Sequence, residues 1–270
     1  MKKVLVILVL VVMLVSVCAC NYVPSSRFMS RSKANSLEEK YGKPQAVLTI
    51  NYEKENKEHK IEITYDLLLS QAPLAVIRFI ELANEGFYNN TVFDTYNKNY
   101  NYIVMGRYAY KESAKEEGTM KFFVNKSDVT FKGEFKNNNY PEPDAGYAEF
   151  KIFSLAMYHD EYVDETTTNF DTANGTLIFA TESESLKSTN YAVFAHMKTV
   201  SFDGGTPMSR IPSEVRNHLT SFTSTTSNRK VYTDETEETT VPYFTMMNET
   251  VTIQVKIIGD WSQLPKIGKR

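Results

Sequence analysis

The sequence predicts a mainly β domain, a closed antiparallel barrel with two flanking α-helices. Three observations carry that prediction. Short runs of alternating apolar and polar residues recur along the chain, at the period of two that belongs to a half-buried strand. Only two well-developed stretches, about Pro73–Asn84 and Ile211–Phe222, space their apolar residues as a helix does. Strand-like runs also do not alternate regularly with helices, as a parallel sheet would require. A chain of 270 residues with 42% hydrophobic content can bury one sizeable core, and a second domain is not required.

The chain opens on Met1-Lys2-Lys3, then an apolar run from Val4 to Val15, then small residues to Cys20. That order describes an export signal, and the run is shorter than the ~20 residues of a membrane span. Val17-Cys18-Ala19-Cys20 resembles a bacterial lipoprotein cleavage box, whose final Cys carries the lipid; an ordinary signal peptide or an uncleaved anchor is the alternative. The resemblance implies a signal peptide over 1–19, a lipid on Cys20 and an extracytoplasmic protein anchored to the bacterial cell membrane. Residues 20–45 are polar and read as a tether, with a short helix near Ser36–Tyr41, and the domain runs over 46–270. Cys18 and Cys20 are the only cysteines, so the domain has neither a disulfide framework nor a thiol nucleophile. Formal charge is −3; without Lys2 and Lys3 it is 28 basic against 33 acidic residues, about −5. With no basic stripe, a nucleic-acid partner is not expected.

Leu48, Ile50 and Tyr52 alternate, a charged turn Glu53–His59 follows, and Ile61, Ile63, Tyr65 and Leu67 alternate again, which makes a hairpin. Pro73 suits the first helical turn and Gly86 the left-handed stop after the last. Phe87 to Phe93 is a turn feeding a strand, and Tyr102–Gly106 is the next strand. The charged piece between Tyr108 and Asn125 reads as a loop or short helix. Ala148, Phe150 and Ile152 alternate into Phe153–Met157, and Tyr158–Asn169 is an acidic, Thr-rich loop. Leu177–Ala180 and Tyr191–Phe194 are strands, Ser224–Thr240 an exposed loop, and Val251, Ile253, Val255 and Ile257 the closing strand. Trp261 reads as a packing residue.

An Ala72-Pro73-headed helix ends in Gly86-Phe87-Tyr88, and the strands of Phe93 and Tyr102–Gly106 follow it. Gly133-Glu134-Phe135, Asn174-Gly175-Thr176 with Leu177–Ala180, and Tyr191-Ala192-Val193-Phe194 come after. This order resembles the cyclophilin family of peptidyl-prolyl cis-trans isomerases, over roughly Ala46–Ser201 plus the last strand. The resemblance implies a cyclophilin-like barrel, no cofactor, and proline-containing peptides or unfolded exported proteins as partners. A Xaa-Pro bond rotates over a barrier of about 18–20 kcal/mol because the amide is conjugated. The family lowers that barrier with an apolar pocket for the proline ring and an Arg donor aimed at the prolyl nitrogen.

Carried onto this chain, Phe93 keeps the family's Phe, while Asp94 and Thr95 stand at its His and Arg positions. Tyr102, Ile103, Met105, Phe179, Leu186 and Tyr191 take the peptide-binding positions, and Leu177 and Ile178 replace a Gln and a Phe. Arg107, just after Gly106, is the candidate substitute donor; Arg78 on the helix is a more distant one. The resemblance therefore implies an isomerase of weak activity acting at the outer face of the membrane. The alternative is a peptide-binding or scaffolding lipoprotein without catalysis. His59, His159, His196 and His218 show no metal-ligand spacing, and nucleophile-elbow, phosphate-loop and dinucleotide motifs do not occur.

Overall fold

A computed structural model describes residues 22–159, 172–183, 186, 190–222, 224–247 and 250–268. Cys20, the signal segment and the loop from 160 onward lie outside the described residues. The strands are β1 Tyr22–Pro24, β2 Gln45–Lys54, β3 Lys57–Leu67, β4 Thr91–Asn97, β5 Tyr102–Glu112, β6 Met120–Val124 and β7 Leu155–Met157. They continue as β8 Leu177–Ala180, β9 Val193–Phe202, β10 Ser224–Tyr232, β11 Glu238–Met247, β12 Thr252–Ile258 and β13 Lys266–Gly268. The helices are α1 Arg31–Tyr41, α2 Pro73–Asn84 and α3 Ser213–Ser221.

The fold is mainly β, and its antiparallel ladders run in the order β5-β4-β12-β2-β3-β9-β7-β8. β8 pairs back onto β5, Ile103 opposite Phe179 and Met105 opposite Leu177, so the ladders return to their start. Inside lie Leu48, Ile50, Ile61, Ile63, Phe93, Ile103, Met105, Phe179 and Phe194, all within one buried cluster. Leu48, Ile50, Ile61 and Ile63 come from alternating runs, whereas β4, β5, β8 and β9 are buried on both faces here, so pairing and not period alone sets their inward members.

Helix α2 contributes Leu74, Ala75, Phe79, Ile80 and Leu82 to that cluster and is buried nearly all round. Pro73 starts it, and Gly86 follows at φ +77°. Ala72 has no capping side chain; instead the buried Glu134 accepts the Ala75 N–H through Oε2 at 3.0 Å. Helix α3 is seated by Val215 and Leu219 and by a 2.6 Å hydrogen bond between Tyr52 Oη and His218 Nδ1. Phe222, just past its end, reaches Phe93 and Tyr52 edge-on. The hairpin between β2 and β3 turns through Glu55 and Asn56, both at positive φ, a tighter turn than Glu53–His59.

Five expectations are corrected. Three helices are described rather than two, and residues 22–41 are not a free tether. There β1 pairs in parallel with β13, and Val23, Met29 and Ala34 join the core. Helix α1 is capped by Ser30, whose Oγ accepts the Lys33 N–H, and so starts earlier than the Ser36 signal suggests. The pieces read as loops at Tyr108–Asn125 and Ser224–Thr240 carry the strand β6, the long end of β5, and the hairpin β10–β11. Threonine's branched Cβ favours a pleated chain, so a polar Thr-rich stretch can form a strand, and Val231 of β10 is buried with Val92, Tyr108 and Phe122. Conversely Ala148–Ile152 alternates without pairing, and the chain turns at Phe153 with φ +64° before β7 begins.

Gly175, of the Asn-Gly pair before β8, sits at φ +99°, and its carbonyl accepts the Tyr88 hydroxyl at 2.8 Å. A Cβ there would lie 2.3 Å from Leu82 Cδ1. Gly175→Ala should therefore destabilise by about 2 kcal/mol, from the left-handed backbone plus overpacking. A chemical-denaturation midpoint unchanged from wild type would refute this.

Candidate functional site

The strands that bring candidate residues together are β4 and β5, and their pairing is irregular. Phe93 pairs with Met105 and Thr95 with Val104, so Asp94 is an extra residue bulged out of β4. On β5 the register also jumps between Ala109 and Met105, around Gly106 at φ +87°. Asn125 holds that irregular stretch: its Nδ2 donates to the Gly106 carbonyl at 3.0 Å, and its N–H to that of Arg107 at 2.8 Å. The two distortions turn Asp94 and Arg107 toward each other.

Arg107 forks Asp94, with Nη2 on Oδ1 at 2.8 Å and Nε on Oδ2 at 3.2 Å. Nη2 also reaches Thr95 Oγ1 at 3.4 Å. The carboxylate side chain is 1% exposed and the guanidinium side chain 36%. Burial pushes the Asp94 carboxyl above its ordinary value, and the charge and bonds of Arg107 pull against that rise. Burial likewise opposes the Arg107 cation, but Asp94 outweighs it and keeps the guanidinium charged. Its carbon lies 5.7 Å from the ring centre of Tyr158 and 5.6 Å from that of Tyr108. Stacking of this kind suits Arg.

Tyr158 borders an apolar cluster on the outer face of the wall. Phe150, Ala156, Ile178, Ala180, Tyr191 and Val193 are its buried members, with Tyr102, Tyr158 and Leu186 packed against them. Tyr191 stacks on His159 at 5.0 Å, and His159 shares a 2.7 Å hydrogen bond with the Asn190 carbonyl. A guanidinium beside an apolar patch is a pairing that can hold a proline ring and donate to its nitrogen.

The structure divides the peptide-binding residues expected from the sequence. Tyr102, Leu186 and Tyr191 belong to the outer cluster. Phe93, Ile103, Met105 and Phe179 belong to the interior, each no more than 1% exposed. Phe179 stacks on Phe153 at 5.0 Å and lies 6.0 Å from Phe93, so these rings pack the core rather than line a groove. The physical reason is register: Tyr102 and Ile103 are adjacent on one strand and must face opposite ways. Ile178 and Tyr158 are the outer-face residues that sequence reasoning missed. The signal for Ile178 was available, since the neighbour of an inward Phe179 must point outward.

Of the two donor positions, Thr95 and Arg107 are brought together. Arg78 is not part of this site: it is 7% exposed on α2, where Nη1 bonds Glu81 and Nη2 bonds Ser127, both at 2.8 Å. Among the described residues, no group of three or more His, Cys, Asp or Glu is arranged to hold a metal ion. None of the described helices is long and apolar enough to cross a membrane.

A family model described as cyclophilin type peptidyl-prolyl cis-trans isomerase/CLD matches residues 52–204. Among solved structures, a cyclophilin type peptidyl-prolyl cis-trans isomerase of Cryptosporidium parvum is 16% identical with TM-score 0.42, covering 81% of this chain and 99% of its own. The same enzyme crystallised in the presence of the dipeptide Ala-Pro is 16% identical with TM-score 0.40, covering 78% and 99%. Cyclophilin AquaCyp293 from Hirschia baltica is 12% identical with TM-score 0.29, covering 63% of this chain and 71% of its own. No curated protein matches the chain.

Proposed function

The chain belongs to the cyclophilin-type peptidyl-prolyl cis-trans isomerase family, and from that premise we propose that it is an isomerase-like protein of weak activity. It acts on proline-containing segments of exported proteins at the outer face of the bacterial cell membrane, held there by a lipid on Cys20. In this reading residues 1–19 are removed, and the ring of strands works as a closed barrel that keeps the wall rigid.

The observation that carries the catalytic reading is Arg107 Nη2 within 3.4 Å of Thr95 Oγ1, at the family's Arg position, beside the outer apolar cluster. The proline ring lies against Tyr102 and Tyr158, the partly exposed rings that cover Ile178 and Tyr191. Arg107 then directs an N–H at the prolyl nitrogen as amide conjugation is lost, stabilising the twisted state without covalent chemistry. Activity is weak because Nε and Nη2 are already committed to Asp94. Losing one preorganised donor costs about 2.7–4 kcal/mol in acyl-transfer enzymes, or ~10²–10³ in rate, and the same order is expected here.

That fork also favours a second reading, a peptide-binding or scaffolding lipoprotein that keeps the wall without turnover. A protease-coupled assay on proline peptides separates the two. The expected result is slight acceleration by the wild type, increased by about 10²-fold in Thr95→Arg, which restores a donor not bound to Asp94. Peptide binding seen by calorimetry or amide shifts, with no acceleration at high protein concentration, would leave only the scaffold.

A further inference from the structure

Residues between the anchor and the domain are fewer than the polar composition suggests. The first described residue, Tyr22, is already paired with Lys266, and Val23 and Pro24 pair with Ile267 and Gly268. Beyond the strand, the Ser25 N–H bonds the Gly268 carbonyl at 3.2 Å and the Ser25 carbonyl accepts the Lys132 N–H at 3.1 Å. The Ile267 N–H in turn bonds Glu81 Oε1 of α2 at 2.9 Å, so this edge is tied to the body. Only two residue steps separate Cys20 from Tyr22, a reach of at most ~7 Å.

The surface at this edge is basic in a chain whose mature charge is about −5 from 28 basic and 33 acidic residues. Arg27 and Lys266 are exposed, and the Lys132 ammonium lies 4.7 Å over the Phe28 ring. Against them stand Glu85 and Glu81, the latter paired with Arg78 at 2.8 Å. Clusters of Lys and Arg beside a lipid anchor are drawn to anionic headgroups.

We propose that the domain sits directly on the bilayer, with the β1–β13 edge and its cations against anionic headgroups. This rests on the lipid-anchor reading given above. The far end follows from the β2–β3 ladder. Trp261 donates to the Ile258 carbonyl at 2.8 Å and lines one pocket with Lys266 and Ile267, so Gln45, paired with Ile258, lies toward the β13 end. The turn at Glu55–Asn56 lies ten residues away, about 30 Å. Strand β4 joins β12 at Thr252, whose other partner is Asn51, in the distal half of that ladder. Asp94 and Thr95 follow on β4, so the site is held clear of the headgroups, where an exported chain can reach it.

Cys18 and Cys20 are the only cysteines, so a single added thiol can be labelled in the lipidated protein. Full-length Ser26→Cys and Lys57→Cys variants, processed in a bacterium, would be labelled with a fluorophore and placed in phosphatidylglycerol-containing vesicles bearing a headgroup quencher. The label at position 26 should be quenched several-fold more than that at 57. Equal quenching in protein whose mass includes the lipid would overturn the orientation and leave the anchor standing. A mature mass without lipid would overturn the anchor reading, and this proposal with it.

Discussion

Raising the pH from 5 to 8 should cost the fold about 4 kcal/mol through one side chain, Glu134, at about 1.4 kcal/mol per pH unit. Burial raises the Glu134 carboxyl from its ordinary 4.5 to about 8, against the pull of the Leu74 and Ala75 N–H groups. Two opposing effects meet here. The first turn of α2 favours a carboxylate, typically by 0.3–1 kcal/mol and at most ~2. Desolvation of a fully buried carboxylate is larger, and Oε1 has no partner among the described residues to offset it. The acid is therefore held neutral in the fold and ionised in the unfolded chain. A raised folded value means that its stabilisation is complete below pH 4.5 and is lost as pH rises through about 8. Glu134→Gln keeps an acceptor for Ala75 and cannot ionise, so its urea-unfolding free energy should lose most of that slope. An unchanged slope in the variant would show that other groups set it, Glu81 and Asp94 first, since burial raises both.

What the sequence made legible was whatever follows from a period. Ile61–Leu67, Pro73–Asn84 and Val251–Ile257 each announce their element, and the interior residues of β2 and β3 follow from alternation. The order of the motifs gave the family. Elements without an apolar stripe were lost, as at β10 and β11, where Val231 is the one residue of β10 in a buried apolar cluster among the described residues. The site was half legible for a different reason. Residues carried over one at a time include neighbours such as Tyr102 and Ile103, which a strand must send to opposite faces. Arg107 was reached by proximity in sequence, but the bulge that pairs it with Asp94 leaves no local signature. A bulge is one unpaired residue between two normal strands, and it is set by the partner strand.

Arg107→Ala should destabilise the protein by about 2–3 kcal/mol as well as abolish any donor at the site. Breaking a buried ion pair costs about 3–5 kcal/mol because one charge is left without compensation, and the half-exposed guanidinium here calls for a discount. Asp94, with a side chain 1% exposed, is the charge left behind. Asp94→Asn removes that charge and should be milder alone, since an amide oxygen still accepts from Arg107. In the double variant Arg107→Ala, Asp94→Asn, no buried charge remains, so at least ~1 kcal/mol of the Arg107→Ala loss should return. The same cycle tests function independently. Asp94→Asn loosens the guanidinium and should raise isomerase turnover, whereas either variant lacking Arg107 should show none. Strictly additive stabilities would mean that the fork contributes nothing. Equal turnover with and without Arg107 would remove the guanidinium from the mechanism even if the protein remained an isomerase.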